Sequence, residues 1–252
     1  MNPGSCAIEL LFVRFPLGTP EGNDQLWHEI DDSRIAAEAR QLLWTNGFKV
    51  GIVGTAPPAA VTSLLDLKGE NLAATGLSTE SPVLPAVKVV KRHIQLPPRE
   101  SRQIYLGEPA EELTLFVAEK SGVRGRSFAQ AQTGFTLSWS PLPQGQVCLQ
   151  VVPEIFHGQP RTKYAAEEGH FRLDFVRPRE SFTDLSLSVA LAPGEMLVIG
   201  CSPDRPGTLG YQFLVDNTEQ KLLFIRLAQV QHDEVFCPED FARLCGRDSL
   251  AK

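Results

Sequence analysis

The sequence predicts an α+β fold that is mainly β: a small α/β unit, then a β-sandwich or open-barrel module, then a short C-terminal helix. Three observations carry this expectation. Over the first 67 residues, compact apolar runs alternate with apolar residues at helical spacing. From about residue 87 the helical period disappears, and short segments separated by turn residues take over. Near the end, Pro238-Glu-Asp opens one more helical stretch and Gly246 closes it. The implied organisation is an α/β unit over 1–70, a linker or long loop over 71–86, and a β-rich module with a terminal helix over 87–252.

Residues 7–15, Ala-Ile-Glu-Leu-Leu-Phe-Val-Arg-Phe, read as a strand, and Pro16 to Asn23 is a turn-rich break. Asp24 to Ile30 reads as a short helical turn carrying Leu26, Trp27 and Ile30. Asp31 or Asp32 is placed to cap a helix over Ser33–Thr45, whose Ile35, Ala36, Ala39, Leu42 and Leu43 recur at helical spacing. Asn46-Gly47 ends it, because glycine accepts the positive φ that follows a helix. Phe48–Val53 reads as a strand, Gly54–Pro58 as a turn and Ala59–Leu67 as a third helix. Strand, helix, strand in this order predicts a parallel βαβ unit or a small α/β sandwich.

The later strands are Val87–Ile94, Ser101–Leu106, Glu112–Ala118, Thr133–Ser140, Gln146–Pro153, His170–Arg177, Ser186–Leu191, Glu195–Gly200, Gly210–Val215 and Lys221–Gln229. Several alternate apolar with polar residues, as in Leu185-Ser-Leu-Ser-Val-Ala-Leu191, which buries one face and wets the other. Many short strands at close spacing argue for a sandwich or an open barrel.

With 252 residues, 42% of them hydrophobic and 21% charged, the chain can bury a core. Its net charge of −6 opposes non-specific binding to nucleic acid, whose phosphates attract basic surfaces. No stretch approaches the ~18–20 apolar residues that span a bilayer. Met1-Asn-Pro-Gly-Ser-Cys6 has neither a basic start nor an apolar core, so the expectation is a cytoplasmic protein or a trimmed, mature form. Cys6, Cys148, Cys201, Cys237 and Cys245 are irregularly spaced and imply no disulfide framework; their odd number leaves at least one thiol unpaired.

The chemical motifs fail on spacing. Gly51-Ile-Val-Gly54 follows a strand but lacks a phosphate-binding glycine pattern, and Pro57 and Pro58 remove N–H donors. His232, Cys237 and Cys245 are too few for a structural metal site, and one helix separates the two cysteines by too great a distance to share a metal. His28, His93, His157 and His170 are isolated in sequence, and no nucleophile elbow accompanies them. Asp31-Asp32 is explained by helix capping and Glu167-Glu168 by a solvated loop. No catalytic residue, metal or cofactor is therefore implied, and the chain reads as a non-enzyme. The densest positive stretch is Lys88, Lys91, Arg92, Arg99 and Arg102. On one strand Lys88 and Arg92 share a face and Lys91 points the other way. Such a stretch fits either an acidic partner or a lysine-protected sheet edge.

Two segments resemble known families. Phe12-Val-Arg14, Leu26-Trp27-His-Glu-Ile-Asp31 and Arg40-Gln-Leu-Leu-Trp44-Thr-Asn46-Gly47-Phe48-Lys-Val50-Gly51-Ile-Val-Gly54 are similar to an uncharacterised family of predicted bacterial envelope proteins and lipoproteins. That resemblance makes Cys6 a candidate lipid-attachment residue. The second set is Gly145–Glu154, Leu187–Gly200, Leu209–Phe213 and Lys221–Leu227, which loosely resembles the core β module of secretins, ring-forming outer-membrane channels. Cys201 stands where a second glycine is expected, and the pieces are too close together for membrane-crossing hairpins. The resemblance thus implies a related β module without a pore.

The function expected on these grounds is a non-enzymatic structural or assembly component of a bacterial envelope, in the periplasm or at the outer membrane, with a cytoplasmic location as the alternative. Its partners would be further copies of itself or other envelope proteins, with no nucleic acid, and with membrane association only through a lipid or a partner. Lys88, Lys91, Arg92 and Trp139 are the candidate partner contacts. The competing reading is a β-sandwich binding module for a glycan or peptide, with Trp27, Trp44, Trp139, Tyr105 and Tyr211 as a stacking platform. A hydrolase assembled in space ranks last.

Overall fold

The computed structural model describes residues 4–19, 23–66, 87–98, 100–119, 122–167 and 170–231. The predicted linker over 71–86, the predicted helix over 238–244 and the His232, Cys237, Cys245 set lie outside them. The fold is mostly β, with two antiparallel sheets and few helices, and it is not a closed barrel.

The first sheet is built from β1 (Ser5–Pro16), β2 (Phe48–Val53), β3 (Lys88–Leu96), β12 (Met196–Cys201) and β14 (Glu219–Gln231), in the order β2-β12-β14-β1-β3. The short β13 (Val215–Asp216) adds to β14. The second sheet has the order β10-β7-β6-β4. Its strands are β4 (Ser101–Tyr105), β6 (Gly122–Pro141), β7 (Val147–Phe156) and β10 (Arg179–Ser181). β11 (Leu187–Leu191) also pairs with β7, and β5 (Ala110–Glu119) pairs with the first half of β6. A separate hairpin joins β8 (Arg161–Glu167) to β9 (His170–Val176).

The predicted parallel βαβ unit does not form. β1 and β2 are separated by β14 and β12, and every pairing between them is antiparallel. The physical reason lies in β1. Cys6, Ile8 and Leu10 are buried on one face, while Leu11, Val13 and Phe15 are buried on the other. A strand covered on both faces belongs in the middle of a sheet, and β14 and β3 flank it there. Strands from the first 70 residues thus share one sheet and one core with strands near the end of the chain.

The main core lies between the sheets. Leu197, Ile199, Leu223 and Ile225 from the first meet Phe135, Leu137, Leu149 and Val151 from the second. Phe48, Phe135 and Phe213 meet there with ring centroids 5.6–6.1 Å apart, in the tilted and edge-on arrangements that aromatic quadrupoles favour. The other face of the first sheet is covered by α1 (Asp24–His28) and α3 (Ala59–Asp66), through Leu26, Val61 and Leu64.

Two helices differ from expectation. α2 spans Ala37–Thr45 and begins later than Ser33, with Ala36 at its N-cap. Asp31 is drawn away from capping: its backbone bridges to Ile52, and its carboxylate accepts from the Ser33 N–H and hydroxyl. Asp32 instead pairs with Arg40 at 2.7 Å. Gly210–Val215, expected as a strand, holds helix α4 (Leu209–Leu214). Leu209, Phe213 and Leu214 are buried at helical spacing, and the Gly210 N–H donates to the Asn46 carbonyl at 2.8 Å.

Asn46 and Gly47 fasten this corner. Gly47 has φ of +84°, the conformation that ends α2. The Asn46 side chain donates to the Ala118 carbonyl and accepts from the Ala118 N–H, so one amide pairs with β5 as a strand residue would. A Cβ on Gly210 would lie 2.5 Å from the Gly47 oxygen and 2.7 Å from the Phe48 nitrogen, backbone atoms that cannot rotate away. Arg34 secures the turn between β11 and β12. It donates to both Glu195 oxygens at 2.6 and 3.0 Å and to the Ala190 carbonyl at 2.8 Å. Burial pushes the Glu195 carboxyl up, but Arg34 and the Ala192 N–H outweigh it and hold the group below its ordinary range.

Two outcomes follow. Helix propensity favours alanine over glycine by about 1 kcal/mol, yet Gly210→Ala should destabilise by about 2 kcal/mol from overpacking. Gly54→Ala, with open space at its Cβ, should stay within about 0.5 kcal/mol; urea melts of both variants check the contrast. For Glu195 the folded carboxyl titrates lower than the unfolded one, so its pair stabilises fully above the unfolded value, about pH 4.3. That stabilisation is lost as pH falls through the folded value. Glu195→Gln should therefore cost about 1 kcal/mol at neutral pH, with solvent screening of Arg34 allowed for, and the difference from wild type should shrink in melts at strongly acidic pH.

Candidate functional site

The two sheets end on the same side in consecutive strands. β3 pairs only with β1, and β4 pairs only with β6, so each is an open edge among the described residues. The short connection from β3 to β4 crosses from one sheet to the other. It is held by the indole N–H of Trp139 on β6, which donates to the Leu96 carbonyl at 2.8 Å. Between the edges lies a cleft of about 340 Å³. Ile94, Ile104 and Leu10 form its apolar part, and Arg92, Arg102 and Tyr105 stand among its polar walls.

Alternation explains the side-chain directions. On β3, Lys88, Val90, Arg92, Ile94 and Leu96 share a face, and Leu96 anchors that face in the main core. On β4, Arg102 shares a face with buried Ile104. Arg92 and Arg102 therefore both lie on inward faces, at the open side of the sandwich. Arg92 rests over the Phe12 ring at 5.4 Å. Neither guanidinium has a carboxylate partner among the described residues. Two unpaired cations lining one small cleft raise its local positive potential. Val90, 48% exposed, and Tyr105, 42% exposed, are the large apolar groups left open along these edges. Tyr105 packs edge-on against Phe156 at 4.9 Å, and its hydroxyl donates to Gln103 at 3.0 Å, which holds the ring in place.

Of the candidate contacts read from the sequence, Lys88, Lys91 and Arg92 are exposed on β3. Lys88 lies 3.4 Å from Glu219, a pairing too exposed to hold it firmly. Trp139 is not available to a partner: it is buried, and its N–H is spent on Leu96. Cys6 is not placed to carry a lipid. Its sulfur is sealed in the main core, burial pushes its thiol up to about 12, and its strand is paired on both sides, to Val230 and Leu96. Arg99 lies outside the described residues.

The stacking platform is dispersed. Trp27 and Trp44 flank the Lys49 ammonium at 6.0 and 5.8 Å, and Arg205 covers Trp44 at 4.7 Å, so the protein's own cations occupy those rings. Tyr105 alone of the named aromatics lines the cleft. Gly51 is explained by packing: its Cβ position falls on the Ile30 side chain, and Asp31 bridges the strand there. His93 lies 3.9 Å from Glu9, and the His157 ring meets Phe128 at 5.2 Å. Among the described residues no group of three or more His, Cys, Asp or Glu converges, and no helix is long and apolar enough to cross a membrane. Cys6 and Cys201 are free and buried, and Cys148 on β7 is disulfide-bonded.

No protein-family model matches this sequence, and no curated protein matches it. Among solved structures, the type II secretion secretin XcpQ of Pseudomonas aeruginosa is similar with a TM-score of 0.28 and 10% identity. The alignment covers 93% of this chain and 61% of the secretin chain. The resemblance to secretins is thus weak and structural, and so distant a likeness leaves the function to be argued from the chain's own residues.

Sequence reasoning located the positive stretch but missed Gln95, Gln103 and Ile104 as parts of one site. The available signal was the short polar break between β3 and β4, which forces two strands to end side by side. Burial pushes the Cys201 thiol up to about 12, as it does that of Cys6. Both should resist maleimide in the native protein at mildly alkaline pH and react once denaturant opens the core, as mass spectrometry of the labelled peptides would report.

Proposed function

We propose that this protein is a non-enzymatic binding and assembly module that captures an extended segment of another polypeptide in the cleft between β3 and β4. The observation that carries this reading is the pair of edges left open among the described residues, with Arg92 and Arg102 between them and no described carboxylate paired with either. An open edge offers backbone N–H and C=O groups to an added strand. Natural sheets guard such edges with charge, and here the charge is of one sign, which selects for a partner of the opposite sign.

An envelope setting, periplasmic or at the outer membrane, remains part of the proposal. The disulfide at Cys148 supports an oxidising compartment over the cytoplasm, because reducing surroundings would open it. A role as a secretin-related assembly component is the narrower form of the same reading. Homotypic pairing of β3 with β3 is disfavoured, since Lys88, Lys91 and Arg92 would face their own copies.

Selection of linear peptides from a displayed library on the full chain tests the reading. Hydrogen exchange then locates the bound peptide. Bound peptides should slow exchange in 88–96, in 101–105, or in both, and leave the buried centre of β14 unchanged. A selection that yields no binder, or binders that leave both edges exchanging at their free rate, would overturn it. Unfolded without reductant, the chain should show fewer than its five thiols, with dithiothreitol restoring the remainder; a full complement before reduction would remove the support for an oxidising compartment.

A further inference from the structure

We infer that the segment this edge accepts is an acidic strand in which two carboxylates flank one apolar residue at alternate positions, an Asp-x-Val-x-Asp type of pattern. The inference rests on the strand-capture reading and adds the chemistry of the partner. Its basis is the order of side chains along the open edge of β3. Lys88, Val90 and Arg92 are consecutive on one face, and all three are exposed. A strand laid beside β3 places its own alternate residues directly across from these three. The residue across from Val90 gains by being apolar, since it covers a side chain left half-exposed by the described residues. The residues across from Lys88 and Arg92 gain by being acidic.

The second edge strengthens one of these positions. A carboxylate across from Arg92 enters the cleft that Arg102 also lines. Guanidinium groups suit carboxylates because their N–H donors are fixed in a planar fork. Leu10, Ile94 and Ile104 limit water on the apolar side of the same space, which strengthens the charge pairing there. The opposite face of β3 does not compete for the same ligand: Val89 packs against the helical side, and His93 lies beside Glu9. The pattern reads the same in both chain directions, so it does not depend on whether the incoming strand runs parallel or antiparallel to β3.

The test uses the full chain and three threonine-rich extended peptides, read by fluorescence anisotropy. One carries the Asp-x-Val-x-Asp core, one has the same composition with the two acids adjacent, and one carries Lys-x-Val-x-Lys. The alternating acidic peptide should bind about tenfold more tightly than its permuted form, weaken with salt and slow exchange in 88–96. The double variant Lys88→Glu/Arg92→Glu should reverse the preference toward the lysine peptide. Lys88→Gln/Arg92→Gln should lose the acidic preference without gaining the basic one. Melting curves confirm that these exposed changes leave the fold intact.

Equal binding of the permuted peptide overturns the inference, as does equal binding of single-stranded DNA or of phosphatidylglycerol vesicles at matched charge, because the edge is then an unselective positive patch. Capture of non-acidic peptides with protected edges overturns this inference and leaves the strand-capture reading standing. Acidic preference without edge protection removes the strand-capture reading.

Discussion

The pairing of β1 with β14 is the contact on which the rest of the structure depends. It joins Ser5–Pro16 to Glu219–Gln231, the first and last strands described, in a long antiparallel ladder whose register shifts once, between Ala7 and Ile8. Both strands are apolar on both faces, so each needs cover from two sides at once. The main core covers one face and the α1–α3 layer covers the other. Everything between them in sequence must be laid down so that these distant segments meet. Non-local pairing of this kind makes folding slow relative to helical proteins of similar size.

That constraint also decides where the edges fall. With β14 on one side of β1, the other side is left for β3, and the chain then crosses to the second sheet through a short connection. β4 begins the second sheet on the same side, and the Trp139–Leu96 hydrogen bond holds the crossing close. The result is a sandwich left open where two edges stand together. At the β11–β12 turn, Arg34 and Glu195 tie the crossing between sheets to the segment leading into α2. The cleft is thus a consequence of topology, and the local residues only determine its sign of charge.

Much of the architecture was legible because its signals are local. The alternation in β11, the apolar run of β2 and the Asn46-Gly47 stop each announce themselves within a few residues. The failures share a cause. Gly210-Tyr-Gln-Phe-Leu-Val215 has strand-like composition, but backbone contact between Gly210 and Gly47 selects a helix. The first half of β6 is exposed, so it carries no clear alternation and was missed. Asp31 and Asp32 look like caps because a capping residue and a turn-forming one have the same short polar side chain. For the site, the positive stretch was visible, whereas Trp139 and Cys6 were misjudged because burial is a property of neighbours distant in sequence.

By itself the sequence determined that this chain is mainly β, that short helices accompany its early strands, and that one edge-forming segment is basic. Those properties follow from periodicity, turn chemistry and charge, which act over a few residues. Only the tertiary structure decided that β1 lies between β14 and β3, that the early strands share a sheet with the late ones, and that Arg92 faces the same cleft as Arg102. Strand order depends on which apolar faces find cover, and that is settled when segments far apart in the chain compete for the same core.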